Sequence, residues 1–159
     1  MIKTALILSL STAMLSGGFM SNFSFAYGGD SDKIDKNFVR DDKRDLVLDI
    51  KNQKLYYDAK PSKEMSYDSA LNYCREMDYL GYRDWEVPTK DELRSLLELS
   101  RTHISIKHAF KNVQQGIYWS STKDRYESAW YIDFDLGRYS TAKYDHKYYV
   151  LCVRKSDIE

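Results

Sequence analysis

Two cysteines constrain the fold of this chain more than any other feature, because Cys74 and Cys152 are the only ones in its 159 residues. In an exported protein such a pair is typical of a disulfide. The bridge would close a loop of about 78 residues, and restricting the unfolded chain in this way contributes on the order of 4 kcal/mol. That is a large share of the net stability of a small domain, about 5–15 kcal/mol. The alternative is a pair of buried free thiols.

The amino terminus has the pattern of a secretory signal peptide. Lys3 precedes an apolar run over residues 5–15, and Ser24 and Ala26 supply the small residues that a signal peptidase reads. We therefore predict that residues 1–26 are a signal peptide cleaved after Ala26. The run is too short for a bilayer core of about 30 Å, which takes roughly 20 apolar residues. The alternative is an uncleaved membrane anchor. A lipoprotein is not expected, because there is no cysteine near the cleavage site.

After cleavage, 133 residues (159 − 26) remain, which is the size of one domain. We expect this mature protein to be secreted, to lie in the periplasm or at the cell surface, and to have no membrane span. It carries 23 basic residues (24 − 1) against 24 acidic ones. Because this balance gives no long-range attraction to a polyanion, we expect no nucleic-acid partner. The oligomeric state is left open by the sequence.

Hydrophobic patterning divides the mature chain into a leader and a domain. Residues 27–44 are polar, without a period of 2 or 3.6, and predict a flexible leader. The domain is predicted over residues 45–155. It begins with a hairpin, in which β-prone runs at 46–50 and 55–57 flank a polar turn.

Two helices are predicted next. Ser66 is a candidate N-cap for a helix that buries Cys74 and ends at Gly81. Thr89 and Glu92 form a capping box that starts a second helix, which favours a structural role for Glu92 over a catalytic one. Residues 100–116 are irregular, and strands follow at 117–121, 129–134, 138–142 and 148–154. The predicted fold class is α+β, with two helices packed on antiparallel β-hairpins.

Neither a catalytic nor a metal-binding motif is present in the sequence. There is no Gly-x-Ser-x-Gly nucleophile turn, and His103, His108 and His146 form no zinc-ligand pattern with either cysteine. Asp133 and Asp135 would share a strand face and could contribute to a cation site, but the solvated face of an edge hairpin is the favoured explanation. We predict a non-enzymatic protein without cofactor or metal.

Five motifs in order resemble the bacterial Lcl C-terminal domain family, catalogued as a domain of unknown function. They are Asn72-Tyr73-Cys74 with residues 80–85, Val87-Pro88-Thr89 with Glu92-Leu93, residues 118–122, Ala129-Trp130 with Phe134 and Gly137, and Tyr149-Val150 with residues 152–154.

The resemblance implies a C-type-lectin-like fold and a cysteine of the first helix bridged to one in the last strand. The founding member of the family binds sulfated glycosaminoglycans. Glu86 and Leu151 replace arginines that are common in the family, which weakens the expectation of a polyanionic ligand.

The predicted function is therefore a binding module for a glycan or for an envelope or surface protein, with a role in adhesion. The chain has 14 tyrosines and 3 tryptophans, which offer rigid contact area with a polar tip. Trp85, Trp119 and Trp130 are predicted to be buried. The candidate contacts lie near turns of the outer β-ribbon: Arg125, Tyr126, Arg138, Tyr139, Lys143 and Tyr144. The alternatives are an accessory or scaffold subunit of an envelope complex and, less favoured, an enzyme.

Overall fold

Two antiparallel sheets and two short helices make up the computed structural model, which describes residues 35–157. The elements are β1 (Phe38–Asp41), β2 (Leu46–Asp49), β3 (Lys54–Tyr57), α1 (Tyr67–Arg75), α2 (Lys90–Ser95), β4 (Ile117–Lys123), β5 (Ser128–Asp133), β6 (Arg138–Lys143) and β7 (Val153–Lys155). The first sheet has the order β1-β2-β3-β7 and the second the order β4-β5-β6. The predicted hairpins and helices are confirmed, in a domain that is mostly β with some helix.

The first sheet is covered on both faces. Leu46 and Leu55 face a group of buried residues that contains both cysteines, which we call the disulfide cluster. Val47 and Tyr56 face a second group built around Leu93 of α2, which we call the Leu93 cluster. Because successive side chains of a strand point to opposite faces, each of these strands contributes to both clusters.

The leader prediction was wrong for the residues nearest the domain. We expected residues 27–44 to be flexible, yet β1 pairs with β2 from Phe38↔Asp49 to Asp41↔Leu46. Phe38 is buried in the Leu93 cluster, and Arg40 forms an ion pair with the buried Asp58. A four-residue strand with two charged members shows no hydrophobic period, which is why patterning did not find it. Residues 1–34, with the predicted signal peptide and the rest of the leader, lie outside the described residues.

Helix α1 begins after Ser66, as predicted, and buries Tyr67, Ala70 and Cys74. It ends at Arg75 rather than at Gly81. Gly81 instead has φ +82° in a tight turn, where Tyr79 and Tyr82 exchange backbone hydrogen bonds of 3.1 and 3.0 Å. The glycine therefore terminates a turn that follows the helix, not the helix itself.

The final segment of the domain joins the two clusters. Tyr148, Val150 and Cys152 belong to the disulfide cluster or pack against it. Tyr149, Leu151 and Val153 do the same for the Leu93 cluster. This confirms the alternation predicted from the sequence, although only Val153–Lys155 forms a regular strand, paired with β3.

A disulfide links α1 to this segment, with an S–S distance of 2.03 Å between Cys74 and Cys152. Both cysteines are completely buried. The predicted pairing is confirmed, and the alternative of two free thiols is set aside. In residues 35–157 no helix has the length and apolar character needed to cross a bilayer.

Candidate ligand-binding surface

The six predicted contact residues occupy three different places on the second sheet. Tyr139 and Lys143 lie on one face of β6, since alternate residues of a strand share a face. Arg138 lies on the opposite face, and Tyr144 continues that face beyond the strand. Arg125 and Tyr126 lie in the β4–β5 turn.

Two of the six predicted contact residues, Arg138 and Tyr144, make contacts within the domain. The Tyr144 ring stacks on the Tyr67 ring, with centroids 4.4 Å apart, and is half-buried against the disulfide cluster. The Arg138 guanidinium lies 3.4 Å from the Asp133 carboxylate and remains largely exposed. Both residues lie on the face opposite to Tyr139 and Lys143, so they are not part of the surface described below.

Basic and aromatic side chains meet where α2 packs beside the second sheet. The Lys90 ammonium lies 4.1 Å from the centre of the Trp130 ring, and the Arg94 guanidinium lies 4.6 Å from that of Tyr139. The two rings are 6.1 Å apart. We call Lys90, Arg94, Trp130, Tyr139 and Lys143 the α2–β6 face.

The local sequence explains how α2 is placed. The Thr89 hydroxyl accepts a hydrogen bond from the Glu92 N–H at 3.2 Å, and the Glu92 carboxylate accepts one from the Thr89 N–H at 2.8 Å. This confirms the predicted capping box. The Lys90 N–H donates to the Thr122 hydroxyl at 2.9 Å and fixes the helix start to β4. With Leu93 buried, Lys90 and Arg94 are one helical turn apart on the outer side.

The strand register places the aromatic residues. Trp130 pairs with Thr141, and Ile132 pairs with Tyr139, so the side chains of these four residues lie on the same face of the sheet. Ile132 lies over the Leu93 cluster and is fully buried. Trp130 lies on the same face two residues closer to the β4–β5 turn, and there the Lys90 ammonium contacts its ring.

The expectation that Trp130 is buried was wrong. Trp85 and Trp119 are buried, as predicted, whereas Trp130 is only half-buried. The neighbours of Trp130 in sequence, Ala129 and Tyr131, face the disulfide cluster. Trp130 therefore faces the other way, toward α2, and its ring contacts Lys90. The i, i+4 pair Lys90 and Arg94 is the sequence signal for this surface, and the sequence analysis did not use it.

The α2–β6 face combines three cations with two aromatic rings. A cation held over an aromatic ring contributes about 0.5–1 kcal/mol at an exposed site. The Lys90–Trp130 and Arg94–Tyr139 contacts therefore hold two positive charges beside the apolar surface of the rings. Arg94 also donates to the Asp91 carboxylate at a long 3.4 Å. Such an arrangement stacks on planar or apolar groups and attracts anionic ones.

Other predicted features have local explanations. The Asp133 carboxylate accepts hydrogen bonds from the N–H groups of Asp135 and Leu136 at 3.0 and 3.1 Å and also faces Arg138.

Within residues 35–157, no three histidine, cysteine, aspartate or glutamate side chains converge on a metal position. A shallow concavity beside Asp58 and Tyr73 has a volume of about 10 Å³, which is room for about one water molecule and far less than a ligand pocket.

The structure thus defines a disulfide-closed domain of two antiparallel sheets and two helices, with an aromatic and basic surface where α2 meets the second sheet. Within that class, the family model of the Lcl C-terminal domain matches residues 37–154, and the chain belongs to this family. The match begins next to β1 and ends inside β7, so it covers both sheets. No curated protein matches the sequence.

Proposed function

We propose that this protein is a non-enzymatic binding module that acts outside the cytoplasm and recognises a glycan through the α2–β6 face. The observation that carries the proposal is the half-buried Trp130 ring with the Lys90 ammonium 4.1 Å from its centre. Tryptophan rings stack on the apolar faces of sugars, and an adjacent cation binds their acidic substituents. The buried disulfide supports an oxidising compartment.

The charge of this face favours a glycan with carboxylate or sulfate groups. Lys90, Arg94 and Lys143 line it, and Asp91 is the acid bonded to Arg94. The two positions where arginines are common in the family, 86 and 151, do not contribute to the charge of this face. Leu151 is buried, and Glu86 pairs with Lys54 at 3.6 Å. The basic character of the surface therefore comes from α2 and β6.

We further propose that the fold is C-type-lectin-like. Three features support this assignment: the first and last strands share one sheet, a second sheet is inserted between them, and α1 is bridged to the segment before the last strand. The proposal concerns architecture only, because a fold does not specify a ligand.

A direct binding test uses heparin chromatography at low salt and a glycan array. We expect Trp130→Ala and Lys143→Ala to lower the affinity for a bound glycan, Trp130→Ala by roughly tenfold, since a stacked aromatic anchor contributes more than about 1.4 kcal/mol. The matched control is Arg138→Ala, which removes one positive charge from the same strand but on the opposite face.

Circular dichroism of each variant checks that the fold is retained. Equal weakening by Arg138→Ala and Lys143→Ala would mean that only net charge matters and would contradict the proposed face. Failure of the wild-type protein to bind any glycan on the array would refute the glycan proposal as a whole.

A second candidate function, recognition of an envelope protein as an accessory or scaffold subunit, is favoured by one specific observation. Leu99 and Leu136 are 70% and 60% exposed beside the β5–β6 turn. Leu99 lies directly against Gly137, where an added Cβ would come within 2.3 Å of it. Large apolar side chains that are exposed near one another on a surface are typical of protein contacts. This candidate predicts a stoichiometric partner in envelope extracts that is lost in Leu99→Asp.

A further inference from the structure

The turn between β4 and β5 holds two consecutive residues in a conformation that their side chains disfavour. Tyr126 and Glu127 have φ values of +57° and +54°. This left-handed region is adopted readily by glycine and tolerated by asparagine and aspartate, but it is costly for other residues. Hairpin turns of this kind usually carry Asn or Gly for that reason.

Contacts with β6 hold the turn in place. The Lys143 ammonium donates to the Tyr126 carbonyl at 2.5 Å, and the Tyr144 N–H donates to the Glu127 carbonyl at 3.1 Å. The Asp124 N–H donates to the Ser128 carbonyl at 2.7 Å and closes the turn. Strained residues persist only where the surrounding structure determines their conformation in this way.

The fold gains nothing visible from the Tyr126 side chain. The residue is 81% exposed, the most exposed large hydrophobic residue in the described part of the chain. None of the turn contacts given above uses the side chain of Tyr126 or Glu127, so an asparagine at position 126 would preserve them. A tyrosine at this position therefore reduces stability without improving packing. Such a combination is typical of residues retained for binding.

The turn lies at one end of the α2–β6 face. Lys143 belongs to that face and bonds to Tyr126, while Tyr139 lies four residues back along β6, about 14 Å away at strand spacing. Trp130 and Lys90 lie between these ends. The row of alternating rings and cations thus continues from Tyr139 to the turn.

We infer that Tyr126 is a ligand-contacting residue that selects for long oligosaccharides. The inference rests on the proposed function: one end of the glycan lies on Trp130 and Tyr139, and the chain extends past Lys143 to the Tyr126 ring. A disaccharide occupies the Trp130 end only, so Tyr126 distinguishes glycans by length.

The test compares a heparin disaccharide with a heparin octasaccharide by isothermal titration calorimetry. We expect Tyr126→Asn to weaken octasaccharide binding on the order of fivefold, as loss of an aromatic contact does, with unchanged affinity for the disaccharide. The same substitution relieves the turn and should raise the melting temperature by about 3 °C. Tyr126→Phe keeps both the ring and the strain, and should resemble the wild-type protein.

Glu127→Asn is the matched control, because it relieves the same kind of strain one residue along the chain. It should raise the melting temperature without weakening octasaccharide binding. If Tyr126→Asn binds the octasaccharide as the wild type does, while Trp130→Ala does not, the inference is wrong and the proposed function stands. If the wild-type protein binds neither fragment, the inference is wrong. If it also binds no glycan on the array, the proposed function falls with it.

Discussion

Arg40 brings a charge from β1 into the interior of the domain. Its side chain is only 7% exposed and contacts three carboxylates, of which Asp58 is completely buried. Asp58 also accepts from the backbone N–H groups of Lys111 and Asn112 at 2.8 and 3.2 Å. Burial raises the pKa of Asp58, although Arg40 and these N–H groups oppose that shift. Arg40 therefore compensates a buried charge that also fixes the irregular segment around residue 111.

We predict that Arg40→Met lowers the free energy of unfolding by about 3 kcal/mol, because it leaves Asp58 buried without its cation. Urea unfolding at neutral pH measures the change. Arg83→Met is the control: Arg83 is 80% exposed and pairs with Asp78 on the surface, where such pairs contribute about 0–1 kcal/mol. Similar losses in the two variants would contradict the role assigned to Arg40.

Individual side chains were the least predictable part of the molecule. The sequence identified Cys74 and Cys152 because two cysteines have one possible pairing. It did not identify the pair Arg40–Asp58 or the pair Trp130–Lys90, because the two members of each pair are distant in sequence. No local pattern reports a contact of that kind, so the composition of the α2–β6 face required the structure.

At the level of elements, α2 depends on its first turn. It has only six residues, fewer than an isolated helix needs to be stable. Burial alone would raise the pKa of Glu92, but the Lys54 ammonium at 2.7 Å and the Thr89 N–H and hydroxyl groups together hold it below its ordinary value. The ionised carboxylate thus stabilises the helix that carries Lys90 and Arg94.

We predict that the stabilisation from Glu92 disappears in acid. Because its pKa is lowered in the folded state, the contribution is complete above the ordinary value of 4.5 and is lost as the pH falls through the folded-state pKa. At pH 7, Glu92→Gln should be less stable than the wild type by about 1 kcal/mol. The difference should narrow between pH 5 and pH 3 in urea unfolding.

Glu64→Gln serves as the comparison, since Glu64 is exposed. The Glu64→Gln substitution should change the free energy of unfolding only slightly, as substitutions at exposed positions do. A Glu92→Gln difference that stays constant down to pH 3 would show that the carboxylate charge is not what stabilises α2.

Elements with a local signal were predicted well, and those without one were not. The capping box, the β2–β3 hairpin and the two faces of residues 148–153 follow from residues that are neighbours in sequence. Strand β1 and the pairing of β3 with β7 depend on contacts between distant parts of the chain. The end of α1 was predicted too late because a glycine in a following turn looks the same in sequence as a helix-terminating glycine.

For the molecule as a whole, the disulfide ties α1 to the segment that joins the two clusters. We predict that the Cys74→Ala/Cys152→Ala double variant loses on the order of 4 kcal/mol of unfolding free energy, because its unfolded chain is no longer restricted. Since both cysteines are completely buried, the wild-type protein should resist dithiothreitol until it unfolds. Equal urea midpoints for the two proteins would contradict this account.

Residues 148–153 contribute to both the disulfide cluster and the Leu93 cluster, and this has a consequence for biosynthesis. Ribosomes make this stretch after every other residue of the two clusters that it completes. A nascent chain that still lacks it can close neither core, and Cys74 has no partner thiol. Both cores, and the disulfide with them, are therefore completed only after residues 148–153 have been synthesised.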